Sequence, residues 1–490
     1  MVKQSPSGGP RLVAVLLIVS LSMLQAPALA GQALENRVQE LTRQVEQLSA
    51  MILELRAEIS QSRDETRELR LELQRISGVP AVAPQQSDTV IAGAPTAEER
   101  LEELEETQRL LADRLEEQYQ TKVESASRYR TKLSGVVLLN AFANRGQVDR
   151  EEVPNLAQRR GPAETGGSLG FTALQSQLGF ETYGPTLAGA RASAGLQFDF
   201  FGVSPGSGPY EASWGAVRLR TATMRLDWER TSVIVGQDAP FLSPLSPTSV
   251  ASLGYPAFSF SGNLWTWNPQ VRVERRFAVS ERGNLSLQGG FFDPVPRASQ
   301  QPGYATRFAW TYGDPDRPLT IGVGGYYSRQ DYGAGRIQDG WAGTADWLIP
   351  LGSRFGLSGE FYRGRAFGSL GAAQGRSVLF DGPQSDPDSS ITGLNSMGGW
   401  AQLTFKATSA IEFNAARGED HPDSRDLQRF IPEGTYSASI SRNRSELFNV
   451  VYRPRTDLVF SLEYRRMKTW RLSTGADKAK HLNLGIGVLF

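Results

Sequence analysis

From about Lys132 to the last residue the sequence alternates with a period of two, and this excludes most folds open to a chain of its length. Candidate strands run at about 133–144, 170–183, 190–201, 213–228, 231–237, 268–279, 283–293, 302–313, 318–330, 339–349, 354–365, 395–406, 409–419, 443–453, 456–467 and 480–490. These are roughly 16 segments of about the ten residues that a tilted strand needs to cross a bilayer. Their connections alternate between tight and long. The tight ones are 228–231, 280–283, 313–316, 350–353, 407–410 and 453–456. On 283–293, Leu285, Leu287, Gly289 and Phe291 oppose Ser286, Gln288, Gly290 and Phe292. On 190–201, Ala192, Ala194, Leu196, Phe198 and Phe200 oppose Ser193, Gly195, Gln197 and Asp199. One face is apolar and the other polar.

The final strand has the same character. Leu482, Leu484, Ile486, Val488 and Phe490 share one face, with His481, Asn483, Gly485 and Gly487 on the other. An alternating strand that stops on an aromatic residue suggests ring closure and resembles the closing strand of bacterial outer-membrane barrels, which the barrel assembly machinery recognises. Short turns on one side and long loops on the other fit such a barrel, and place both of its ends on the periplasmic side. Trp228, Trp267, Trp310, Tyr312, Trp341, Trp347, Tyr452 and Tyr464 lie near strand ends or on apolar faces, as an interfacial aromatic girdle requires. The expected fold is an all-β transmembrane barrel of about 16 antiparallel strands, residues 131–490, preceded by a helical coiled coil.

Lys3 and Arg11 precede the apolar run Leu12–Leu24, and Ala28-Leu29-Ala30 supplies the small-x-small pattern of a cleavage site, so residues 1–30 read as a signal peptide. No other run approaches a transmembrane helix, so membrane integration requires strands. The 52 basic residues match the 52 acidic ones, which gives no reason to expect nucleic acid. The absence of cysteine excludes disulfides, thiolate metal sites, Cys nucleophiles and a lipid-modified N-terminal Cys.

Leu34, Val38, Leu41, Val45, Leu48, Ile52, Leu55, Ile59, Leu69, Leu73 and Ile76 follow steps of four and three, with Ser62 and Thr66 interrupting. This heptad over 31–77 predicts an oligomerising coiled coil, periplasmic in an outer-membrane protein. β-branched residues alternating with Leu in its seam favour two strands, against the three of a trimer. Residues 78–96, rich in Pro and Ala, read as a linker, and 97–130 as a second, weaker helical segment carrying Leu101, Leu104, Leu111 and Leu115.

The segment 237–267 contains Pro240, Pro244, Pro247 and Pro256 among Phe241, Leu242, Leu245, Leu253, Tyr255, Phe258 and Phe260. A loop this apolar would not sit in water. It either folds into the barrel as a constriction, lies between subunits, or does both. Asp238, Phe241, Tyr255 and Phe258 are its candidate constriction residues. Val235-Gly236-Gln237-Asp238 leading into Phe241-Leu242-Ser243-Pro244, then Trp265-Thr266-Trp267-Asn268-Pro269-Gln270, with the heptad segment and Phe490, resembles the DcaP-like outer-membrane porins. That resemblance implies a trimeric, roughly 16-stranded channel with a periplasmic coiled-coil extension, taking up small and often anionic organic solutes. It carries no signature in the long loops that would name the solute.

Arg218 and Arg220 share the polar face of the fourth strand, and Arg225 joins them only if a bulge near 221–223 switches parity. Arg272 and Arg276 on the sixth strand and Arg307 on the eighth complete a candidate pore-lining basic patch, suited to carboxylate or phosphate. Alternatively these arginines pair with Glu181, Asp199, Asp227 and Glu274 and only satisfy a polar wall. Catalysis has little support: His421 reads as lying in an external loop and His481 on the inner face of the last strand, with no nucleophile placed beside either. Asp386, Asp388, Asp420, Asp423 and Asp426 read as loop acids, either binding divalent cations that bridge lipopolysaccharide or simply solvated. No metal or cofactor site is assigned. The expected partners are sister subunits of a homotrimer, outer-membrane lipid and lipopolysaccharide, the assembly machinery, and peptidoglycan through the coiled coil. A channel for small hydrophilic solutes and a plugged barrel that anchors the coiled coil both fit this sequence.

Overall fold

The computed structural model describes residues 130–202 and 215–490. The expected signal peptide, coiled coil and linker, and the second helical segment except Arg130, lie outside the described residues; Arg130 itself opens the first strand. In chain order the strands are β1 (Arg130–Arg145), β2 (two pieces, Gly167–Thr172 and Gln177–Leu187), β3 (Ala190–Gly202), β4 (Ala216–Asp227), β5 (Thr231–Asp238), β6 (Asn268–Ser280), β7 (Gly283–Phe292) and β8 (Gly303–Asp314). They continue as β9 (Arg317–Asp331), β10 (Ile337–Leu351), β11 (Phe355–Arg365), β12 (Asn395–Lys406), β13 (Ile411–Pro422), β14 (Ile440–Arg455), β15 (Leu458–Arg471) and β16 (Ala476–Leu489). Both pieces of β2 pair with β1, one with its upper half and one with its lower, so they form one strand broken at 173–176. The 17 paired segments are thus sixteen antiparallel strands.

Ring closure is made by β1 and β16, in register from Val136 opposite Leu489 to Arg145 opposite Lys480. One residue further, the Gly135 N–H donates to the Phe490 carbonyl at 2.9 Å and the Phe490 N–H donates to the Gly135 carbonyl at 3.2 Å. Gly135 is needed there, because a Cβ would lie 2.7 Å from the Phe490 ring and 2.6 Å from the Gln177 carbonyl. Closure leaves no sheet edge with unpaired N–H and C=O groups, the condition for placing strands in hydrocarbon. Among the described residues no helix is long and apolar enough to cross a membrane.

The alternation becomes an outer and an inner surface. Leu482, Leu484, Ile486, Val488 and Phe490 are exposed on the outside, while His481 and Asn483 are buried within. Leu196, Leu287 and Phe291 likewise face out, and Asp199 and Phe292 face in. On β4 the pairs Gln197–Thr221 and Phe198–Leu219 leave Arg220 as the extra residue of a bulge. It falls one residue before the expected 221–223. Before it Val217 and Leu219 point outward, and after it Met224 does, so Arg218 and Arg225 share the inner face although their offset along the chain is odd.

The tight turns all lie at one end of the barrel. The opposite end carries the connections 146–166, 239–267, 293–302, 366–394 and 423–439, but also two short ones, 332–336 and 472–475, so the expected alternation of lengths is not strict. Two other positions differ from expectation. His421 belongs to β13, opposite Met397, rather than to a loop. Asp420 points inward from the same strand, accepting from Tyr362 at 2.6 Å and Ser396 at 3.1 Å.

Removing Leu489 and Phe490 deletes the two Gly135–Phe490 bonds and the bond from the Leu489 N–H to the Asp457 carbonyl at 2.7 Å. In lipid each unsatisfied group costs several kcal/mol. The truncated chain should therefore refold to less than about half the wild-type yield of heat-modifiable barrel on a gel, with Phe490→Ala, which keeps the backbone bonds, falling between the two. Equal yields from truncated and full-length chains would contradict closure through these residues.

Candidate functional site: the loop folded into the barrel

The connection 239–267 lies inside the barrel, and its composition explains why. Its four prolines have no N–H to satisfy, its apolar side chains seek cover, and several of its remaining donors and acceptors find partners on the polar wall. Thr344 of β10 donates to the Leu242 carbonyl at 2.7 Å. Glu360 of β11 accepts from the Ser243 hydroxyl at 2.6 Å and the Leu245 N–H at 2.7 Å. Gln402 of β12 accepts from the Thr248 N–H at 2.7 Å, and Asn449 of β14 donates to the Thr248 carbonyl at 2.7 Å. Glu463 of β15 accepts from Ser249 at 2.5 Å, and Gln175 beside β2 accepts from the Gly254 N–H at 2.8 Å. Between Leu242 and Gly254 the loop thus travels round the inner wall from β10 to β2.

Its hydrophobic residues anchor it. Phe241 stacks on Phe292 with centroids 5.4 Å apart, in a cluster with Leu242, Leu264, Tyr326, Tyr362 and Phe367. Phe258 packs with Ala257, Trp400, Ala416 and Leu447. Each such side chain contributes about 1.5–3 kcal/mol when fully buried. Phe241 and Phe258 are therefore anchors of the loop, almost wholly buried at 4 % and 1 % exposure, while Tyr255 is only partly covered.

Each of the six candidate arginines occupies an inward position, and each meets a carboxylate. Arg218 and Arg220 share Asp199, at 2.6 and 3.0 Å. They also donate to the carbonyls of Gly254 and Leu253, which ties the loop to β4. Arg225 pairs with Asp227 at 2.6 Å and Arg276 with Glu274 at 3.3 Å. Arg272 meets Asp238 at 2.9 Å where the loop begins. Arg307 makes a two-pronged contact with Asp346 at 2.9 and 2.7 Å, reaching past Gly322, where a Cβ would lie 2.4 Å from the carboxylate. Of the expected acidic partners only Glu181 is elsewhere: it is exposed, opposite Lys132 on β1, and accepts from the Tyr183 hydroxyl at 2.8 Å.

The arrangement has an aromatic component that sequence reasoning missed. Tyr255 meets two guanidiniums, with Arg218 4.8 Å and Arg150 4.9 Å from its ring centroid. Trp267 lies under Arg218 at 4.9 Å and Arg220 at 4.7 Å, so it belongs to this nest and not to the girdle. Phe201 and Trp265 meet Tyr255 edge-on, at 5.5 and 5.0 Å. Arg150 comes from the connection 146–166, which Arg465 and Asn443 hold by donating to the carbonyls of Pro154 and Asn155 at 3.1 and 3.0 Å. Burial raises the neighbouring Asp149 carboxyl above its ordinary range, opposed by donation from the Leu156 and Asn155 N–H groups. Arg218 and Arg220 thus share one carboxylate, Asp199, and Arg150 brings a third guanidinium to the Tyr255 ring, leaving a local excess of positive charge beside aromatic faces.

The histidines are placed apart from any such cluster. The His481 Nδ1 lies 2.8 Å from the Asn144 amide oxygen, and its ring stacks on Phe142 at 6.3 Å. His421 lies at the outer end of β13 near Arg363, Met397 and Arg425. Among the described residues no group of three or more His, Cys, Asp or Glu side chains converges to hold a metal. Asp423 caps a short helix, α1 (Ser424–Phe430), accepting from the Arg425 N–H at 2.8 Å, and Asp426 accepts from Asn395.

A closed barrel of sixteen strands, apolar outside and polar inside, with a long loop folded within it, has the architecture of outer-membrane channels. The chain shares this fold with the outer membrane channel DcaP of Acinetobacter baumannii, at 15% identity and a TM-score of 0.58 over 74% of this chain and 99% of that one. An anion-selective porin from Comamonas acidovorans (12% identity, 74% of this chain, 100% of that one) and OprB of Pseudomonas putida (11%, 74% and 94%) align with TM-scores of 0.44 and 0.45. No protein-family model and no curated protein matches the sequence.

Gly418 is the point of closest approach between the loop and β13: a Cβ there would lie 2.2 Å from the Ser261 carbonyl and 2.8 Å from Phe258. Gly418→Val should displace the Phe258 segment and forfeit about 1.5–3 kcal/mol of its burial. Proteolysis of the folded barrel should then cut within 239–267 at least several-fold faster. An unchanged cleavage rate would show that the loop is not held there.

Proposed function

We propose that this protein is an outer-membrane porin, a passive channel for small hydrophilic solutes that favours anions such as organic acids and catalyses no reaction. The observation that carries the reading is the gathering of Arg150, Arg218 and Arg220 around the rings of Tyr255 and Trp267, with only the shared carboxylate of Asp199 paired to Arg218 and Arg220, on the inner face of a closed barrel and at the loop folded into it. The paired Arg225, Arg272, Arg276 and Arg307 then serve as a polar wall, and Asp238, through Arg272, fixes the start of the constriction loop. In this reading the barrel spans the outer membrane, the tight turns face the periplasm, and the heptad segment is a periplasmic coiled coil within reach of peptidoglycan. The alternating strand ending in Phe490 is the segment read by the assembly machinery.

The same reading includes a homotrimer, supported by the distribution of aromatics. Outward-facing Tyr and Trp side chains at the rims lie on β8, β9, β10, β14 and β15, including Tyr304, Trp310, Tyr312, Tyr327, Trp341, Tyr452 and Tyr464. The outer faces of β1–β7 instead present Val137, Leu169, Phe171, Val217 and Met224, all more than 60 % exposed in the single chain. A wall facing other protein has no need of an interfacial girdle.

A second reading, an anchor with a plugged barrel, draws support from the loop's attachment around so much of the inner wall. Flux separates the two. Liposomes carrying the protein should swell in isotonic small sugars and faster in a small dicarboxylate, whereas a plugged anchor gives no swelling. Asp199→Asn, which removes the shared counter-charge, should raise the dicarboxylate-to-sugar ratio by about the severalfold expected for one unit charge in a narrow polar lumen. Arg150→Ser should lower it. Equal ratios in all three proteins would refute the anion preference and leave a nonselective channel.

A further inference from the structure

The outer surface carries a dense cluster of cations at one stretch of its rim. At the long-loop end of β13–β16, the outward positions of adjacent strands align in two rows. Arg444, Lys468 and Lys478 lie directly opposite one another across β14, β15 and β16. Two residues nearer the apolar band, Arg466 of β15 lies opposite Lys480 of β16, which in turn faces Arg145 of β1. Like charges directly opposite on one face of a sheet destabilise it. Two acids moderate the edge of the array: Glu419 accepts Arg444 at 2.6 Å, and Glu446 lies 3.9 Å from Arg466. Among the described residues Lys468, Lys478 and Lys480 make no ion pair. Lys468 and Arg442 share an aromatic partner, Trp470, at 4.5 and 3.7 Å from its ring centroid.

The position of these rows is as informative as their charge. Immediately below them the same strands present Phe448, Tyr464 and Leu482 in one register line, exposed by 59 %, 38 % and 48 %. At about 3.4 Å per residue along a tilted strand, the cations stand within roughly 7–14 Å of the edge of the apolar band, which is headgroup depth. On β9 and β10 the outward positions beyond the aromatic line of Tyr304, Tyr327 and Trp341 hold Arg329 opposite Asp339, a balanced pair 3.4 Å apart. The concentration of cations is therefore local and not a general property of the rim.

We propose that this array is a binding site for the phosphates of a lipopolysaccharide molecule in the outer leaflet, with Arg444, Arg466, Lys468, Lys478 and Lys480 supplying the counter-charge and Trp470 marking the interface. The proposal rests on the outer-membrane reading, with the long loops outside. The two rows, unfavourable alone, are relieved by an anion carrying several charges, and the exposed apolar line beneath them receives its acyl chains. The lipid is thereby held on β14–β16, next to the β1 margin of the wall assigned to subunit contact.

The test uses the full mature protein, purified folded in detergent and presented with bisphosphorylated lipid A, dephosphorylated lipid A or inorganic pyrophosphate, with binding read by native mass spectrometry. Wild type should retain bisphosphorylated lipid A well above the dephosphorylated form and above pyrophosphate. The variant carrying Lys468→Gln, Lys478→Gln and Lys480→Gln should bind it roughly a hundredfold more weakly, about fivefold per cation. Heat-modifiability and solute flux of the variant should stay at wild-type levels, and Lys478→Gln alone provides a milder variant should the triple one fold poorly. Equal retention by variant and wild type, or no preference for the phosphorylated lipid, would overturn the site. Pyrophosphate bound as well as lipid A would overturn the lipid as its occupant. Orientation is checked separately: because the chain has no cysteine, Gly434→Cys in the connection 423–439 should be labelled from outside intact cells. Failure of that labelling overturns the topology and the proposal with it, whereas labelling without lipid binding overturns the site alone.

Discussion

The structure depends on one condition, that every backbone N–H and C=O of a strand placed in hydrocarbon has a partner in another strand. The pairing of β1 with β16, extended to the last residue by Gly135 and Phe490, meets that condition for the whole ring. Closure then divides the side chains into two solvents. The apolar alternate positions face lipid, and the polar ones are forced into an interior that must satisfy them.

How the interior does so determines the shape of the channel. Buried carboxylates are costly unless fully engaged, and each one here is. Glu360 accepts from Ser243, the Leu245 N–H and the Trp400 indole; Asp346 accepts both prongs of Arg307; Glu463 is shared among Arg465, Ser249 and Asn449. Many of those donors come from the inward loop. The loop and the polar wall are therefore parts of one network: the wall alone would leave unsatisfied charge, and the loop alone would expose its apolar face. The excess of arginine over carboxylate near Tyr255 stands out against this balanced background, and the proposed preference for anions rests on it.

Much of this was legible in the sequence. The strands, their facing and the closing segment could be read because a period of two is a local signal, and a one-residue slip would turn Leu482 to Phe490 into the interior. Even the bulge on β4 could be inferred, since Val217 and Met224 cannot both face lipid without it. What could not be read is long-range. Arg150 and Trp267 reach the site through loop positions with no periodicity, and the sharing of Asp199 by Arg218 and Arg220 depends on strand pairing. His421 was misplaced because Asp420-His421-Pro422 resembles a loop in composition, although β13 continues through it. The heptad segment lies outside the described residues, so its preference for two or three strands stands as an expectation.

The central claim is that this barrel conducts. Reconstituting the mature protein in a planar bilayer and recording single-channel current tests it most directly. The account predicts stepwise conductance closing in threes, with a reversal potential in a salt gradient displaced toward that of the anion. A folded barrel that inserts but passes no current would contradict it, and would make the loop a plug and the coiled coil the working part of the protein.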